Sequence, residues 1–157
     1  MPFDDLRAFI TKVDELGELR RVEDADWDLE IGAITELIAE RLGPALLFDR
    51  IKGYPVGYRV LSNPFASWKR AALALEMPPE LKGIEIVGRW RDRSKNFKPI
   101  PPNEVKDGPV KENVHRGKEI DLFEFPTPKW HELDGGRYIG TGDLCVMQDP
   151  DTGWINF

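Results

Sequence analysis

The stretch "DLEIGAITELIAERLGPALLFDRI", residues 28–51, changes its hydrophobic period half-way along and thereby decides the fold. In its first half, apolar residues recur at the spacing of one helix face: Ile31, Ile34, Leu37, Ile38 and Leu42. We expect Asp28 to cap this helix at its start, and Gly43 with Pro44 to close it. The apolar run from Ala45 to Ile51 then predicts a strand.

The flanking sequence continues this alternation. The pattern predicts a helix over 6–16 that stops at Gly17, and a short strand over 19–22. A further strand is expected over 58–63, followed by a short helix that Ser67 caps. Helices and strands mixed in this way predict an α+β fold.

The chain from Pro78 to Pro109 is dense in prolines and charges, which predicts a partly irregular connection. It is expected to hold one strand, "GIEIVGRW", over 83–90. A domain boundary is expected within 98–118. Beyond it the helical period disappears, and residues 144–157 predict a strand, a turn at "DPDTG" and a second strand.

Composition limits the possible functions. The chain has 157 residues, 41% of them hydrophobic, and a net charge of −6, which argues against general binding to nucleic acid or a membrane surface. The single cysteine, Cys145, excludes an intrachain disulfide, and we expect it to be buried in a strand. The N-terminus carries acids where a signal peptide needs basic residues, and no apolar run approaches the roughly 18 residues of a membrane span. A cytoplasmic location is the default.

One segment raises a second possible function, the binding of single-stranded nucleic acid. "GRWRDRSKNFK", residues 88–98, interleaves five basic residues with Trp90 and Phe97, as a surface for single-stranded nucleic acid would. A solvated edge strand that uses its charges to prevent pairing is the interpretation we favour.

The glycine cluster "WHELDGGRYIGTGDL", residues 130–144, allows three interpretations. A dinucleotide loop is disfavoured, because the glycines lead toward a predicted strand instead of a helix. The cluster could be structural, with Gly135 and Gly136 in a turn. It could also let a ligand lie against the backbone, with the hydroxyl of Thr141 exposed between two glycines.

Three polar residues are candidates for chemistry. His131 could be a metal ligand, a general base or a side chain that ties a turn together, and the last is favoured. His115 lies among charges and is expected to be solvated. Asn156 offers a neutral oxygen suited to Mn²⁺, Mg²⁺ or an alkali ion if carboxylates come from elsewhere, although alone it is typical of an ordinary strand asparagine. "DPDTG" is interpreted as a hairpin turn, since a calcium loop would need a bidentate glutamate and flanking helices.

These residues also carry a resemblance. "FPTPKWHELDGGRYIGTG" (125–142) followed by "VMQDPDTGWIN" (146–156) resembles the entry to the active-site domain of the UbiD family of decarboxylases. "DLRAFITKVDELGELRRV" (5–22), "DLEIGAITELI" and "GPALLFDRIKGY" resemble that family's opening segment. The resemblance implies a small α/β N-terminal domain, residues 1–110, and the beginning of a flavin-reductase-like split β-barrel, residues 111–157.

The resemblance also implies cofactors and site residues. Family members decarboxylate aromatic or α,β-unsaturated carboxylic acids with prenylated FMN, Mn²⁺ and K⁺. By position, Asn156 matches the asparagine that coordinates the divalent metal, and Trp154 matches the residue whose carbonyl serves the K⁺ site. Thr141 matches the threonine that lines the pocket for flavin and substrate. Ile155, between Trp154 and Asn156, belongs to the same cofactor-binding stretch.

The resemblance places no catalytic residue within the chain, because the family's arginine and two glutamates would follow Phe157. We therefore expect a fragment, a truncated product or one piece of a split enzyme, inactive alone and homo-oligomeric at full length. A non-catalytic docking subunit, completed by a second polypeptide, is the alternative. The expected partner is a small carboxylic acid, with no nucleic acid and no membrane span.

Overall fold

The computed structural model describes residues 3–98, 100–101, 103–140 and 145–156. Its helices are α1 (Leu6–Glu15), α2 (Glu30–Glu40), α3 (Trp68–Ala74) and α4 (Gly83–Ser94). Its strands are β1 (Leu19–Glu23), β2 (Ala45–Asp49), β3 (Val60–Ser62), β4 (Met147–Gln148) and β5 (Ile155–Asn156), and short 3₁₀ turns occupy Pro109–Lys111, Gly117–Glu119 and Leu122–Glu124. The predicted α+β mixture is confirmed.

The first three strands form one sheet with β2 at its centre. β1 pairs with β2 in parallel and β3 pairs with β2 antiparallel. Two parallel neighbours need a crossover connection, which α2 supplies. The continuous apolar run of β2 follows from this position, because Ala45 to Phe48 are all buried.

The hydrophobic core lies on both faces of β2. On one face, Phe9 and Val13 of α1 pack with Ala45. The other face carries the larger cluster, formed by Ala25, Ile31, Leu46, Phe48 and Ile51. Because successive strand residues point to opposite faces, the alternation along β2 assigns one face to each helix.

Two predicted helix ends are confirmed, one by its backbone conformation and the other by a hydrogen bond. Gly17 has a φ of +69°, the left-handed conformation that glycine adopts without strain, and it follows the last turn of α1. The Ser67 hydroxyl accepts the backbone N–H of Arg70 at 3.2 Å and so caps α3.

The prediction that Asp28 caps α2 is wrong. The N-cap is Leu29, which has a φ of +67° and makes no side-chain cap. Asp28 instead forms an isolated parallel bridge with Lys129. The backbone of the residue that was expected to cap the helix is therefore paired with a segment about a hundred residues later in the chain.

The predicted strand over 83–90 is also wrong, since this segment is the helix α4. The backbone N–H of Lys82 donates to the Glu85 carboxylate at 3.0 Å, which favours helix initiation. Ile86 is buried and anchors the helix, whereas Ile84 is 82% exposed. The β-branched residues that suggested a strand are thus mostly in solvent, and the edge-strand interpretation of residues 88–98 falls with it.

A buried ion pair joins the sheet to α3. The Arg70 side chain is fully buried, and one of its terminal nitrogens donates to the Glu18 carboxylate at 2.7 Å. The other donates to the carbonyl of Gly43 at 3.0 Å. One guanidinium thereby ties together the turns before β1 and before β2.

We expect Arg70→Met to lower the free energy of unfolding by about 2 kcal/mol, because the Glu18 carboxylate and the Gly43 carbonyl both lose their buried donor while Lys69 still pairs with Glu18. Urea denaturation followed by circular dichroism measures this. Arg20→Met is the control, since Arg20 is exposed and makes no ion pair within the described ranges, and its effect should stay within about 0.5 kcal/mol. Equal losses in the two variants would contradict the structural role of the Arg70 pair.

Candidate functional site

Residues 123–140, which include most of the glycine cluster, lie against α2 and the turn before it, and we call them the docked segment. The Leu29 N–H donates to the Lys129 carbonyl and the Lys129 N–H to the Trp27 carbonyl, both at 3.0 Å. Trp130 then packs against the larger core cluster. We call the part of the chain from α1 to β3, residues 6–62, the N-terminal layer. Residues from the last third of the chain therefore complete its core.

Gly32 makes this docking possible. It lies in the first turn of α2, and a Cβ placed on it would lie 1.9 Å from the carbonyl oxygen of Trp130. Contacts of that length do not occur between non-bonded atoms, so the backbone of Trp130 occupies the space that a side chain would need.

A second contact, made by Tyr58, holds the start of the docked segment. The Tyr58 hydroxyl donates to the Glu124 carboxylate at 3.1 Å, and the Tyr58 ring packs on Phe125 in an edge-to-face arrangement. The same hydrogen bond raises the pKa of Tyr58 above its usual value, because it favours the neutral phenol beside a carboxylate.

An open cleft of about 1170 Å³ separates the docked segment from the end of the sheet. Its walls are mainly apolar and include Val60, Phe65, Phe125, Trp130, Tyr138 and Ile139. A small polar group lies among them, in which the hydroxyls of Thr35 and Ser62 are 2.9 Å apart and the Asn63 amide donates to the Thr35 carbonyl at 3.0 Å. Such a lining suits a flat, largely apolar ligand with few polar groups.

The two histidines have structural surroundings. The backbone N–H of His131 donates to the Asp134 carboxylate at 2.9 Å, and its ring lies 3.7 Å from Asp134 and 3.9 Å from Glu36. This is the geometry of a histidine that ties a turn. A His115 ring nitrogen is 3.1 Å from the carbonyl of Glu119, and its side chain is half exposed. Over the described residues, no three His, Cys, Asp or Glu side chains are grouped to hold a metal ion.

The glycine cluster lies along the cleft but is described only in part. Gly135 and Gly136 form a bend, which agrees with the structural interpretation of the cluster, and a Cβ on either would meet open space. Gly140 lines the cleft. Thr141 and Gly142 lie outside the described residues, so the position of the Thr141 hydroxyl stays a prediction.

The last described segment is the predicted hairpin. β4 and β5 pair antiparallel, with Met147 opposite Asn156, and "DPDTG" forms the turn between them. One carboxylate oxygen of Asp149 accepts the N–H groups of Asp151 and Thr152 and the Thr152 hydroxyl, at 2.7–2.9 Å. This local network orders the strand that carries Asn156.

Three candidate cofactor residues lie together on this hairpin. Trp154, Ile155 and Asn156 are all exposed, so their side chains are free to meet a ligand. The Trp154 carbonyl accepts the Asp149 N–H at 2.8 Å, which leaves a second lone pair for a cation. Cys145, expected to be buried, is instead exposed, because the short strands here have no packed layer over them among the described residues.

Sequence reasoning missed Gly32, on which the Trp130 backbone packs, and Arg137, whose side chain donates to the Tyr54 hydroxyl. A glycine within a helical period indicates only a weak helix position, and an arginine that follows two glycines suggests solvent. The available signal was the combination of a glycine on a buried helix face with a tryptophan in the glycine cluster, which permits close packing.

Comparison with known families follows these features along the chain. A family model described as the N-terminal domain of 3-octaprenyl-4-hydroxybenzoate carboxy-lyase matches residues 10–90. A second, described as the Rift-related domain of the same carboxy-lyase, matches residues 103–157. The chain belongs to the UbiD family. The resemblance drawn from the sequence is thereby confirmed.

Relatives in the UbiD family include proteins named as decarboxylases. The chain is 39% identical to pyrrole-2-carboxylic acid decarboxylase from Pseudomonas aeruginosa, over 96% of its own length and 32% of the relative's. It is 31% identical to ferulic acid decarboxylase 1 from Saccharomyces cerevisiae, over 100% of its own length and 33% of the relative's. The chain thus spans about a third of the length of the curated relatives it matches.

Solved UbiD-class structures share the fold. The closed form of vanillic acid decarboxylase from Sedimentibacter hydroxybenzoicus superposes with a TM-score of 0.81 at 34% identity, over 94% of this chain and 31% of that one. An evolved dimeric form of HmfF from Pelotomaculum thermopropionicum, in complex with prFMN, superposes with a TM-score of 0.73 at 30% identity, over 98% of this chain and 34% of that one. In the parts of the chain described here, no helix is long and apolar enough to cross a membrane.

We expect Gly32→Ala to lower the free energy of unfolding by about 2 kcal/mol or more, because the new methyl group would overlap the Trp130 backbone. Gly88→Ala is the matched control, since Gly88 also lies within a helix but has open space at its Cβ. Alanine there should add roughly 0.5–1 kcal/mol through helix propensity. Chemical denaturation of both variants tests the contact, and a Gly32→Ala protein as stable as the wild type would contradict it.

A second expectation concerns pH and the hairpin. The hydrogen bonds from Thr152 hold the pKa of Asp149 below its usual value, so the carboxylate stabilises the turn above the unfolded pKa, and this is lost as the pH falls through the folded value. We expect cross-strand nuclear Overhauser effects between Met147 and Asn156 to weaken in acid. Asp149→Asn, whose amide carries no charge and does not titrate, should show cross-strand effects that do not change with pH. The same acid loss in Asp149→Asn would show that another group is responsible.

Proposed function

We propose that this chain is the N-terminal part of a reversible, non-oxidative decarboxylase that acts on aromatic or α,β-unsaturated carboxylic acids with prenylated FMN. Membership of the UbiD family supports it, together with relatives named as pyrrole-2-carboxylic, phenolic and ferulic acid decarboxylases. The observation that carries the proposal is the docking of the glycine-cluster segment beside a mainly apolar cleft of about 1170 Å³.

The proposed architecture has two parts. Residues 1–110 form an α/β N-terminal domain, and residues 111–157 begin a split β-barrel that holds the cofactor. The two family matches leave residues 91–102 between them, which supports a division into two parts slightly before the proposed boundary at residue 110.

Cofactor binding is assigned to Thr141 and to the hairpin residues Trp154, Ile155 and Asn156. The Asn156 amide oxygen would ligate Mn²⁺, and the Trp154 carbonyl would contribute to a K⁺ site. One amide and one carbonyl are hard oxygen donors that suit both ions, but they cannot by themselves hold a divalent cation against water. We propose that further carboxylate or imidazole ligands come from a continuation of the chain or from a partner chain.

The proposed roles of this chain are binding and orientation. Prenylated FMN supplies the electron sink for loss of CO₂ when it is bound. The apolar cleft walls would exclude water from a flat acid, and the exposed hairpin would present its oxygens to the ions near the cofactor phosphate. The acid and base groups are assigned to residues after Phe157, so we propose that the 157-residue chain is inactive alone.

Assembly and location are proposed on more general grounds. A homo-oligomer at full length is supported by the dimeric form of the relative HmfF. A cytoplasmic location is supported by the lone cysteine, which fits a reducing compartment. The basic segment 88–98 is proposed not to bind nucleic acid, because the chain carries a net charge of −6.

The deciding experiment compares three proteins: the 157-residue chain, the chain continued to the full length of its relatives, and the full-length Asn156→Ala variant. Each is reconstituted with prenylated FMN, Mn²⁺ and K⁺, then assayed for bound metal, bound flavin and CO₂ release from cinnamate-like, hydroxybenzoate-like and pyrrole carboxylic acids.

Only the full-length protein with Asn156 should turn over, and Asn156→Ala should lose about tenfold to a hundredfold in metal affinity. Turnover by the 157-residue chain would overturn the assignment of the catalytic groups. Wild-type metal and flavin content in Asn156→Ala would make Asn156 an ordinary strand residue.

A further inference from the structure

Arg137 lies in a cage of aromatic rings that spans the two parts of the chain. Its guanidinium carbon is 4.1 Å from the ring centre of Trp27, 5.1 Å from that of Phe123 and 5.7 Å from that of Tyr54. Trp27 and Tyr54 belong to the N-terminal layer, whereas Phe123 and Arg137 belong to the segment that docks on it. Cation–π attraction of this kind is strongest where the cation is shielded from water.

The same guanidinium makes three hydrogen bonds in fixed directions. Nε donates to the carbonyl of Thr127 at 2.5 Å. One terminal nitrogen donates both to the carbonyl of Phe125, at 3.1 Å, and to the hydroxyl of Tyr54. Two of these bonds close the loop between residues 125 and 137 on itself, and the third fastens that loop to the N-terminal layer.

Arginine is the side chain that fits this position. Its planar fork donates to three acceptors while its faces stack on rings, which the point charge of lysine cannot do. Within the described part of the chain Arg137 makes no ion pair with a carboxylate, so carbonyls and ring faces stabilise its charge.

We propose that Arg137 is a positioning residue that fixes the loop 135–140 against the N-terminal layer before any ligand enters the cleft. The next residue, Tyr138, donates its N–H to the Pro128 carbonyl at 3.1 Å. Ile139 and Gly140 then line the cleft, and Thr141 follows. The link from Arg137 to the cofactor pocket rests on the proposed function, whereas the fixing of the loop does not.

Hydrogen exchange measured by NMR on the 157-residue chain tests the fixing of the loop. In Arg137→Met, the amides of Tyr138 and Lys129 should exchange roughly tenfold to a hundredfold faster, while the amide of Leu47 in the central strand keeps its rate. Arg137→Lys should behave like Arg137→Met. Arg89→Met is the control, because Arg89 is exposed on α4, and it should leave all three rates unchanged.

An unchanged Tyr138 rate in Arg137→Met overturns the proposal, and so does full rescue by lysine. If Arg137→Met accelerates Leu47 as well, the whole fold has opened and Tyr54→Phe decides. That variant keeps the ring but removes the hydroxyl acceptor, and it should accelerate Tyr138 about fivefold with Leu47 unchanged. No acceleration of Tyr138 in Tyr54→Phe then overturns the proposal.

The link to the pocket is tested in the full-length protein by titration with prenylated FMN, followed by its absorbance. Arg137→Lys should raise the dissociation constant about tenfold, and Arg89→Met should not change it. An unchanged constant beside faster loop exchange overturns that link. If the wild type binds no prenylated FMN, the proposed function fails, while the exchange rates still decide the role of Arg137.

Discussion

The missing side chain of Gly32 is the constraint on which the rest of the site depends. Because the helix presents only hydrogen at this point, the Trp130 backbone packs directly on α2. That approach brings Lys129 into hydrogen-bonding register with Trp27 and Leu29. The cleft has a wall because this segment stays in place, and the described residues of the glycine cluster that follow Trp130, up to Gly140, continue along it.

Much of the fold could be predicted from local pattern. The change of period between α2 and β2 fixes the crossover, and the glycine and serine at helix ends act within one turn of chain. The two failures have different causes. Asp28 is a good cap by composition, but a contact distant in sequence, its bridge with Lys129, decides its structure instead. The β-branched residues of α4 would also suit a strand, but the hydrogen bond from Lys82 to Glu85 and the burial of Ile86 favour a helix.

The same division applies to the site. The hairpin that carries Asn156 was predictable because "DPDTG" encodes its own turn through Asp149. The parts played by Gly32 and Arg137 were not, since each acts on a partner more than eighty residues away and leaves no periodic signal. Thr141 lies outside the described residues, so its role still rests on family resemblance alone.

The long sequence separation of the docking contacts has a consequence for the order of folding. Tyr54 and Arg137 are 83 residues apart. At a synthesis rate of about 5–20 residues per second, Arg137 is therefore added roughly 4–17 s after Tyr54. Over that time the sheet and its two helices can assemble, while Trp27 and the surface around Gly32 remain uncovered. During synthesis the N-terminal layer therefore exposes apolar surface that the docked segment later covers. We expect the nascent chain to depend most on chaperones in that interval.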